Sequence, residues 1–175
     1  PPSCGRISVG GKSPLTMGIK EANAGGPTAQ KLDKLGIRAI VVEGAPKDGK
    51  LYLLVIRKDG VTLRDASAYR GMKTYALVEA LKEQGEGAAV ISIGPAGERK
   101  SKAASVAFTD KDGHPARHAG RGGMGAVMGA KGLKAIVVDD NRPDALLDER
   151  GFDEVIASVA AAAADPRVVS VALTL

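Results

Sequence analysis

One pattern occurs twice in this chain and constrains its fold more than any other feature. The segment GIRAIVVE at residues 36–43 is matched by GLKAIVVD at residues 132–139, every position being identical or conservative, at an offset of 96 residues. Each copy follows a helix-like segment and, before that, a glycine cluster, at residues 23–26 and 120–123. Two unrelated helix–strand joints of similar composition are the alternative. The matched glycines favour duplication of one unit, which consists of a glycine loop, a helix and a buried strand.

Apolar periodicity and the positions of Gly and Pro predict the other elements. Strands are expected at residues 6–9, 37–43, 51–57, 61–66, 88–94, 102–108 and 133–139, and helices at 27–35, 74–84, 123–131 and 152–164. The Asp59-Gly60 pair between two strand-like segments is a strong hairpin signal. Hairpins mixed with helices indicate an α+β fold rather than a doubly wound parallel sheet. A polar segment after Asp139 predicts a boundary near residues 141–143, which divides the chain into 1–142 and 143–175.

Composition excludes several classes of protein. The 175 residues are 44% hydrophobic and 26% charged, as in a soluble globular protein, but include 23 Gly and only 3% aromatics. The single Cys4 excludes a disulfide framework and an all-cysteine metal site within the chain. No apolar run approaches the roughly 18 residues of a membrane span and no signal peptide opens the chain, so a cytoplasmic location is expected. The missing initial Met and the apolar last residues suggest a fragment of a longer protein.

The two glycine loops are the candidate binding sites. A glycine loop that opens a helix lets backbone N–H groups converge, and the helix N-terminus adds partial positive charge, so phosphate or another anion is favoured. Arg6 precedes the first loop, and Arg117 and Arg121 flank the second; guanidinium groups bind phosphate or stack on flat rings. Two loops suggest two phosphate-bearing ligands or two halves of one. For a single loop, glycines in tight turns and solvated arginines explain the pattern equally well.

Two other functions stay open at this point. Gly120, Gly122 and Gly125 form G-x-G-x-x-G, which is typical of an NAD-binding dehydrogenase, but the polar residues 109–119 precede it where a buried strand is required. A non-enzymatic module for anions or nucleic acid is prompted by the pI of 9.4, although a net charge of +5 is too mild and dispersed to argue for nucleic acid.

No catalytic constellation is visible in the sequence. Cys4, His114 and His118 show neither triad nor zinc spacing, and the acidic residues form no pair in an apolar context. The sequence therefore indicates a binding scaffold without catalytic residues.

Three segments resemble the tungsten-dependent aldehyde ferredoxin oxidoreductase family: residues 5–26, 92–98 and 119–138, in the family's order. The resemblance covers nearly the whole chain and implies the family's N-terminal domain without its first part. That domain is a base of two β-sheets with short helices, related by a pseudo-twofold axis, on which two pterins lie. Residues 143–175 would begin the following helical domain.

The resemblance also implies a reaction and its cofactors. Family members hold one tungsten, or sometimes molybdenum, between two phosphorylated pterins beside a 4Fe–4S cluster, and they oxidise aldehydes to carboxylates with ferredoxin as electron acceptor. Ferredoxin and a small aldehyde are thus the expected partners, with no nucleic acid or membrane, and a homo-oligomer is compatible. The cluster ligands and the acid–base residues belong to later domains. We therefore expect this chain alone to be inactive and unable to retain the cofactor.

By motif position, the resemblance assigns the binding residues. The expected pterin and phosphate contacts are Arg6, Gly25, Arg117, Gly120 and Arg121, with Gly26 and Gly122 completing the two glycine loops. Asn23 and the backbone carbonyl of His118 are the expected ligands of a magnesium ion that bridges the pterin phosphates. His118 departs from the family, because a small residue is more usual there, and its bulk raises the question of how the local packing accommodates it.

Overall fold

The computed structural model describes residues 5–140 and the backbone of residues 170–174. The strands are β1 (Arg6–Lys12), β2 (Ile19–Gly25), β3 (Ala39–Glu43), β4 (Tyr52–Arg57), β5 (Gly60–Asp65), β6 (Ala89–Ser92), β7 (Val106–Phe108), β8 (Arg117–Ala119), β9 (Leu133–Val138) and β10 (Ser170–Thr174). The α-helices are α1 (Thr28–Lys34), α2 (Thr74–Leu81), α3 (Pro95–Glu98) and α4 (Met124–Ala130). Short 3-10 turns occupy Ser67–Tyr69 and Lys82–Gln84.

A six-stranded mixed sheet organises the described residues. Its strand order is β5-β4-β9-β6-β7-β8, and every neighbouring pair is antiparallel except β4 with β9. β1 and β2 form a separate antiparallel hairpin, and β10 pairs in parallel with β3. The predicted α+β class, with β-sheets and short helices, is confirmed.

Two hydrophobic clusters cover the faces of the large sheet. Leu77 and Leu81 of α2 pack on one face. The other face is covered by the hairpin, α1 and α4, through residues that include Ala22, Leu32 and Met124. β9 is buried at every position because it lies in the middle of the sheet with both faces covered, which explains its uninterrupted apolar sequence.

The duplicated unit is present in the structure. The bounds of α1 and α4 differ by the same offset of 96 residues as the sequence repeat, and each helix stands between a strand that ends at a glycine loop and a second strand. Gly36 and Gly132, which end the two helices, both have positive φ, at 75° and 67°. An L side chain is strained in this conformation, so both copies need glycine at the same point. The repeat is therefore structural.

The two copies pack against each other reciprocally. A Cβ added to Gly26 in the first loop would lie 2.5 Å from the Thr109 carbonyl oxygen, just after β7. A Cβ added to Gly123 in the second loop would lie 2.9 Å from the Pro14 ring, just after β1. The equivalent strands β2 and β8 also contact each other. Reciprocal contacts of this kind are what a twofold relation between two units produces.

Several sequence predictions need correction. The structure adds β2, α3 and β8, which periodicity did not predict, and it shortens the predicted strand at 102–108 to Val106–Phe108. β2 reads IKEANAG and buries only two alanines, so pairing with β1 rather than intrinsic propensity makes it a strand. The Asp59-Gly60 hairpin between β4 and β5 is confirmed. The predicted helix at 152–164 and the boundary at 141–143 lie outside the described residues, as does the segment 143–175 apart from the β10 backbone.

Candidate functional site: two open glycine loops

The first glycine loop connects β2 to α1 and carries polar groups on one face of the hairpin. Arg6 of β1 is directly opposite Gly25 of β2, and Asn23 is two residues earlier on the same strand. Directly opposed residues of an antiparallel pair share a face, and Arg6 and Asn23 are both exposed. Ala22 and Ala24 point the other way, into the core. The hairpin register therefore brings Arg6, Asn23 and Gly25 together on the open face.

The second loop connects β8 to α4 and rests on the first copy. Gly122 and Gly123 both have φ of 70°, and a Cβ on Gly123 would be only 2.1 Å from the Lys102 carbonyl oxygen. A Cβ on Gly122 would lie 2.9 Å from the Cβ of Lys20, near the start of β2. The two loops thus lie towards opposite ends of β2. In residues 5–140, no backbone acceptor receives the amide hydrogens of residues 121–123.

Both loops have backbone that faces open space. A Cβ added to Gly25 or to Gly120 would meet nothing within 4 Å. The exposed side chains of Arg6 and Arg121 form no hydrogen bond or ion pair within the described part of the chain. Space above the backbone, loop amides without an acceptor and unpaired guanidinium groups are the features that let an anionic group approach.

Arg117 lies on β8, just before the second glycine loop, and near the acidic turn after β7. The backbone N–H of His114 is the main cause that lowers the pKa of the Asp110 carboxyl, and the charge of Arg117 makes a smaller contribution in the same direction. Arg117 is exposed and forms no hydrogen bond or ion pair with the described residues. Its guanidinium group remains available for a ligand.

The helices behind the loops contribute less than the sequence suggests. α1 and α4 have only seven residues each, and neither has a side-chain hydrogen bond at its N-cap. A two-turn helix has a small macrodipole, so the loop amides and the three arginines supply most of the positive potential. An anion site at these loops stays a prediction. Its positive potential would come mainly from the loop amides and the arginines rather than from the helices.

The structure shows how a histidine fits at position 118. The Nδ1 atom of His118 is 3.0 Å from the Ser105 Oγ, and the ring lines an open cavity of about 250 Å³ beside the start of α3. Alternation along β8 puts Arg117 and Ala119 on the other face of the strand, where Ala119 joins the core. The imidazole therefore occupies surface space, and the local packing has room for it without displacing the backbone.

α1 is anchored to the far end of β9 by an ion-pair cluster. The Nζ atoms of Lys31 and Lys34 lie 2.8 and 3.3 Å from the two carboxylate oxygens of Asp140, whose side chain is almost fully buried. Burial acts to raise the pKa of Asp140, but the hydrogen bonds and charges of the two lysines outweigh it, so the pKa is lowered. The first loop is thereby held by a helix that is fixed to the central strand.

The G-x-G-x-x-G pattern has a structural explanation that does not involve a dinucleotide. β8 directly precedes Gly120, but it is a three-residue antiparallel edge strand. β8 and β9 are separated by β6 and β7 and run in opposite directions, whereas the dinucleotide fingerprint requires a parallel βαβ unit. Gly125, the third glycine, instead lies against backbone, since its Cβ would be 2.3 Å from the Ser105 carbonyl oxygen. The dehydrogenase alternative is therefore not supported.

Sequence reasoning did not include Gly123 among the site residues, yet it is the most constrained position of the second loop. It is the N-cap of α4 in the left-handed conformation and is packed against Lys102 and Pro14. The signal was present in the run Gly122-Gly123, because two consecutive positive φ values are accessible mainly to glycine.

Within the described ranges, no group of three His, Cys, Asp or Glu side chains comes together as a set of metal ligands. Among the same residues, none of the helices has the length and apolar character needed to cross a bilayer.

The fold and the site together define a class: a duplicated α+β domain that presents two open, arginine-flanked glycine loops. Comparison with known proteins identifies the family. Residues 1–140 match the family described as "Aldehyde ferredoxin oxidoreductase, N-terminal domain". The chain belongs to the aldehyde ferredoxin oxidoreductase family and contains its N-terminal domain.

Individual relatives agree with this assignment. The chain is 44% identical over 157 residues to a tungsten-containing aldehyde ferredoxin oxidoreductase from Pyrococcus abyssi, and 41% identical over the same length to one from Pyrococcus furiosus. Each alignment covers 89% of this chain and 25% of the relative, so the chain spans about a quarter of those proteins. A subunit named "Aliphatic sulfonate oxidoreductase, WOR-like subunit" from Pyrococcus furiosus is 33% identical over 152 residues, covering 79% of this chain and 23% of the relative.

A solved structure shares the fold. It is titled "Active site complex BamBC of Benzoyl Coenzyme A reductase in complex with 1,5 Dienoyl-CoA" and superposes with a TM-score of 0.67 at 34% identity. The match covers 77% of this chain and 20% of that chain.

Proposed function

We propose that this chain is the cofactor-binding domain of an oxidoreductase that converts aldehydes to carboxylic acids, with ferredoxin as electron acceptor. The cofactor would be tungsten, or molybdenum, held by two pterins. The observation that carries this proposal is the pair of open glycine loops on two reciprocally packed copies of one unit, in a chain of this family. A cofactor with two similar phosphorylated halves suits a binding surface with two similar halves.

The residues present fit such a cofactor. Space above Gly25 and Gly120 lets a flat or phosphorylated group approach the backbone closely, and a Cβ at either position would occupy that space. The amide hydrogens of residues 121–123 have no backbone acceptor in the described residues. Together with unpaired guanidinium groups, these donors match the several oxygen acceptors of a phosphate.

Each half of the cofactor would have its own set of residues. Arg6, Gly25 and Gly26 would bind one pterin phosphate, and Arg117, Gly120, Arg121 and Gly122 the other. A magnesium ion between the phosphates would be held by Asn23 and the backbone carbonyl of His118, oxygen ligands of the type that magnesium prefers.

Within the described residues, this chain binds and orients the cofactor but supplies no reacting group. When bound, the metal–pterin centre provides the two-electron redox chemistry of aldehyde oxidation. Electrons would pass through a 4Fe–4S cluster, with ligands outside this chain, to ferredoxin. The proposal places the protein in the cytoplasm, as a monomer or homo-oligomer, without nucleic acid or membrane as a partner.

The aldehyde is the part of the proposal that this domain constrains least. Relatives that share the domain are named for an aldehyde, for an aliphatic sulfonate and for benzoyl coenzyme A. A domain common to oxidoreductases of different substrates must hold what they share rather than what distinguishes them. The substrate pocket would therefore be built by the parts of the relatives that this chain does not cover.

The test is cofactor retention by arginine variants of the full-length protein that contains this chain. Arg6→Ala and Arg117→Ala, purified without oxygen, should each lose most of their metal and pterin, measured by elemental analysis and by fluorescence of the oxidised pterin. Arg64→Ala is the matched control, because Arg64 is an exposed arginine on β5, at the opposite edge of the sheet from β8, and its side chain donates to Gln84. Full metal and pterin content in both loop variants would refute the assignment.

A further inference from the structure

A lysine is fully buried in the central strand of the sheet. Lys134 is 0% exposed, and the strand is distorted around it. β9 pairs Leu133 with Tyr52 of β4 but Ala135 with Leu53, so Lys134 is an extra residue without an opposing partner. Such a β-bulge re-aims a side chain at the cost of regular pairing. The ladder is interrupted at the position where the charged side chain of Lys134 enters the interior.

Every donor of Lys134 is used, and its partners lie on different segments. Its Nζ donates to the Met72 carbonyl oxygen at 2.9 Å, to the Ile93 carbonyl oxygen at 3.0 Å and to the Glu98 carboxylate. Glu98 in turn accepts the backbone N–H of Gly71 on both oxygens, at 3.0 and 2.9 Å. The pair therefore ties β9 to both ends of the segment that forms α3 and to the turn before α2.

α3 is the element on which α4 rests. A Cβ added to Gly129 would lie 2.0 Å from the Gly97 carbonyl oxygen, and one added to Gly97 would lie 3.0 Å from the Gly125 carbonyl oxygen. The two helices thus touch through backbone, with glycines on both sides of the contact. α4 begins directly after the second glycine loop, so a shift of α3 is transmitted to residues 120–123 without side chains that could absorb it.

We propose that Lys134 and Glu98 are a positioning pair for the second glycine loop: they fix α3, and α3 fixes α4 and the loop. The part that concerns the cofactor rests on the proposed function. A buried ion pair is weak evidence for stability, since apolar residues of similar volume often stabilise a fold as well or better. What apolar residues cannot do is hold three backbone segments at defined hydrogen-bond distances. The role of the pair is therefore to hold these segments in a defined geometry.

The first test separates positioning from simple stability. Three variants are compared with the wild-type full-length protein: Glu98→Gln, Lys134→Met, and the double variant Glu98→Leu with Lys134→Met. Thermal unfolding and hydrogen exchange by mass spectrometry are measured on each. In the double variant we expect a smaller fall in the unfolding temperature than in Lys134→Met, because no buried charge is left unpaired, although the Met72 and Ile93 carbonyl oxygens lose their donor. Peptides that cover residues 120–130 should nevertheless exchange about tenfold faster, with β4 unchanged.

Controls and alternative outcomes are defined by the same measurements. Lys82→Met removes an exposed ion pair with Glu79 and should alter neither quantity. If the double variant exchanges like the wild type over residues 120–130, the positioning role is overturned. If all three variants fail to fold, the pair supports the whole fold rather than the loop, and the proposal is equally overturned. Glu98→Gln keeps the size of the side chain and one acceptor oxygen, so it remains informative if Lys134→Met unfolds.

The second test connects the pair to the cofactor. In the double variant, metal and pterin content should fall by about half or more at a temperature at which the protein is still fully folded. Full content in the folded double variant would show that the pair does not position the binding loop. Wild-type protein without metal or pterin would overturn the proposed function instead, while the exchange measurement would still decide the positioning role.

Discussion

The contact between α3 and α4 makes a quantitative prediction about Gly129. Gly129 is buried, and a Cβ there would lie 2.0 Å from the carbonyl oxygen and 2.8 Å from the carbonyl carbon of Gly97, and 3.4 Å from the backbone nitrogen of Glu98. All three atoms belong to the backbone, so no rotamer change can relieve the overlap. Gly129→Ala therefore requires the two helices to separate by about 1 Å or more.

The expected loss of stability follows from two opposing effects. Alanine in a helix is favoured over glycine by about 1 kcal/mol, whereas overpacking costs about 1–3 kcal/mol and occasionally more. An overlap of two backbones lies at the upper end, so a net loss of about 2 kcal/mol is predicted. For a chain of this size the unfolding temperature should fall by roughly 4–8 °C.

The assay is thermal and urea unfolding of Gly129→Ala and of a matched control, Gly10→Ala. Gly10 lies on β1 with φ in the ordinary range, and its added Cβ would be 3.7 Å from the Lys20 carbonyl oxygen, an ordinary contact. The control should be neutral or slightly stabilising. An unfolding temperature of Gly129→Ala at or above that of the wild type would refute the close backbone contact on which the reasoning depends.

Three further predictions concern the loops and their supports. Because the pKa of Asp140 is lowered in the folded chain, its contribution is complete above its unfolded value of about 3.9 and is lost as the pH falls through the lower folded value. Asp140→Asn should therefore reduce the free energy of unfolding by about 1.5–3 kcal/mol at pH 7, with the difference from wild type shrinking below about pH 4; a pH-independent difference in urea unfolding would contradict this. His118→Ala should change stability by no more than about 0.5 kcal/mol and leave the metal content of the full-length protein unchanged, because the ring faces the cavity and the proposed ligand is the carbonyl. The isolated 175-residue chain should retain no cofactor, since both loops are open on one side; near-stoichiometric tungsten or molybdenum after purification would disprove this.

The sequence predicts the duplicated unit well because its determinants are local. The apolar run of β9, and glycines that end α1 and α4 in positive φ, are visible without tertiary information. The Asp59-Gly60 hairpin is predictable for the same reason. Residues 119–138, which include the second loop, carry enough of the family's pattern to identify the family.

Long-range contacts explain what the sequence does not predict. β2 and the short β8 have few strand-forming residues and become strands by pairing with β1 and β7. In the sequence, Lys134 is a charged residue within an apolar strand, and nothing local indicates its partner. The partner, Glu98, lies 36 residues away and is evident only in the structure. Gly125 completes a dinucleotide-like pattern in the sequence, and only its packing against the backbone of Ala104 and Ser105 shows its use. The assignment of Arg6, Asn23 and Arg117 to a cofactor stays a prediction.

In the proposed function, two equivalent loops of this domain hold the two halves of one metal–pterin cofactor. The most direct measurement is the ratio of pterin to tungsten or molybdenum to polypeptide in the full-length protein purified without oxygen. We expect two pterins and one metal per chain, with Arg6→Ala and Arg117→Ala both lowering the content. Protein that folds and yet contains neither pterin nor either metal would contradict it.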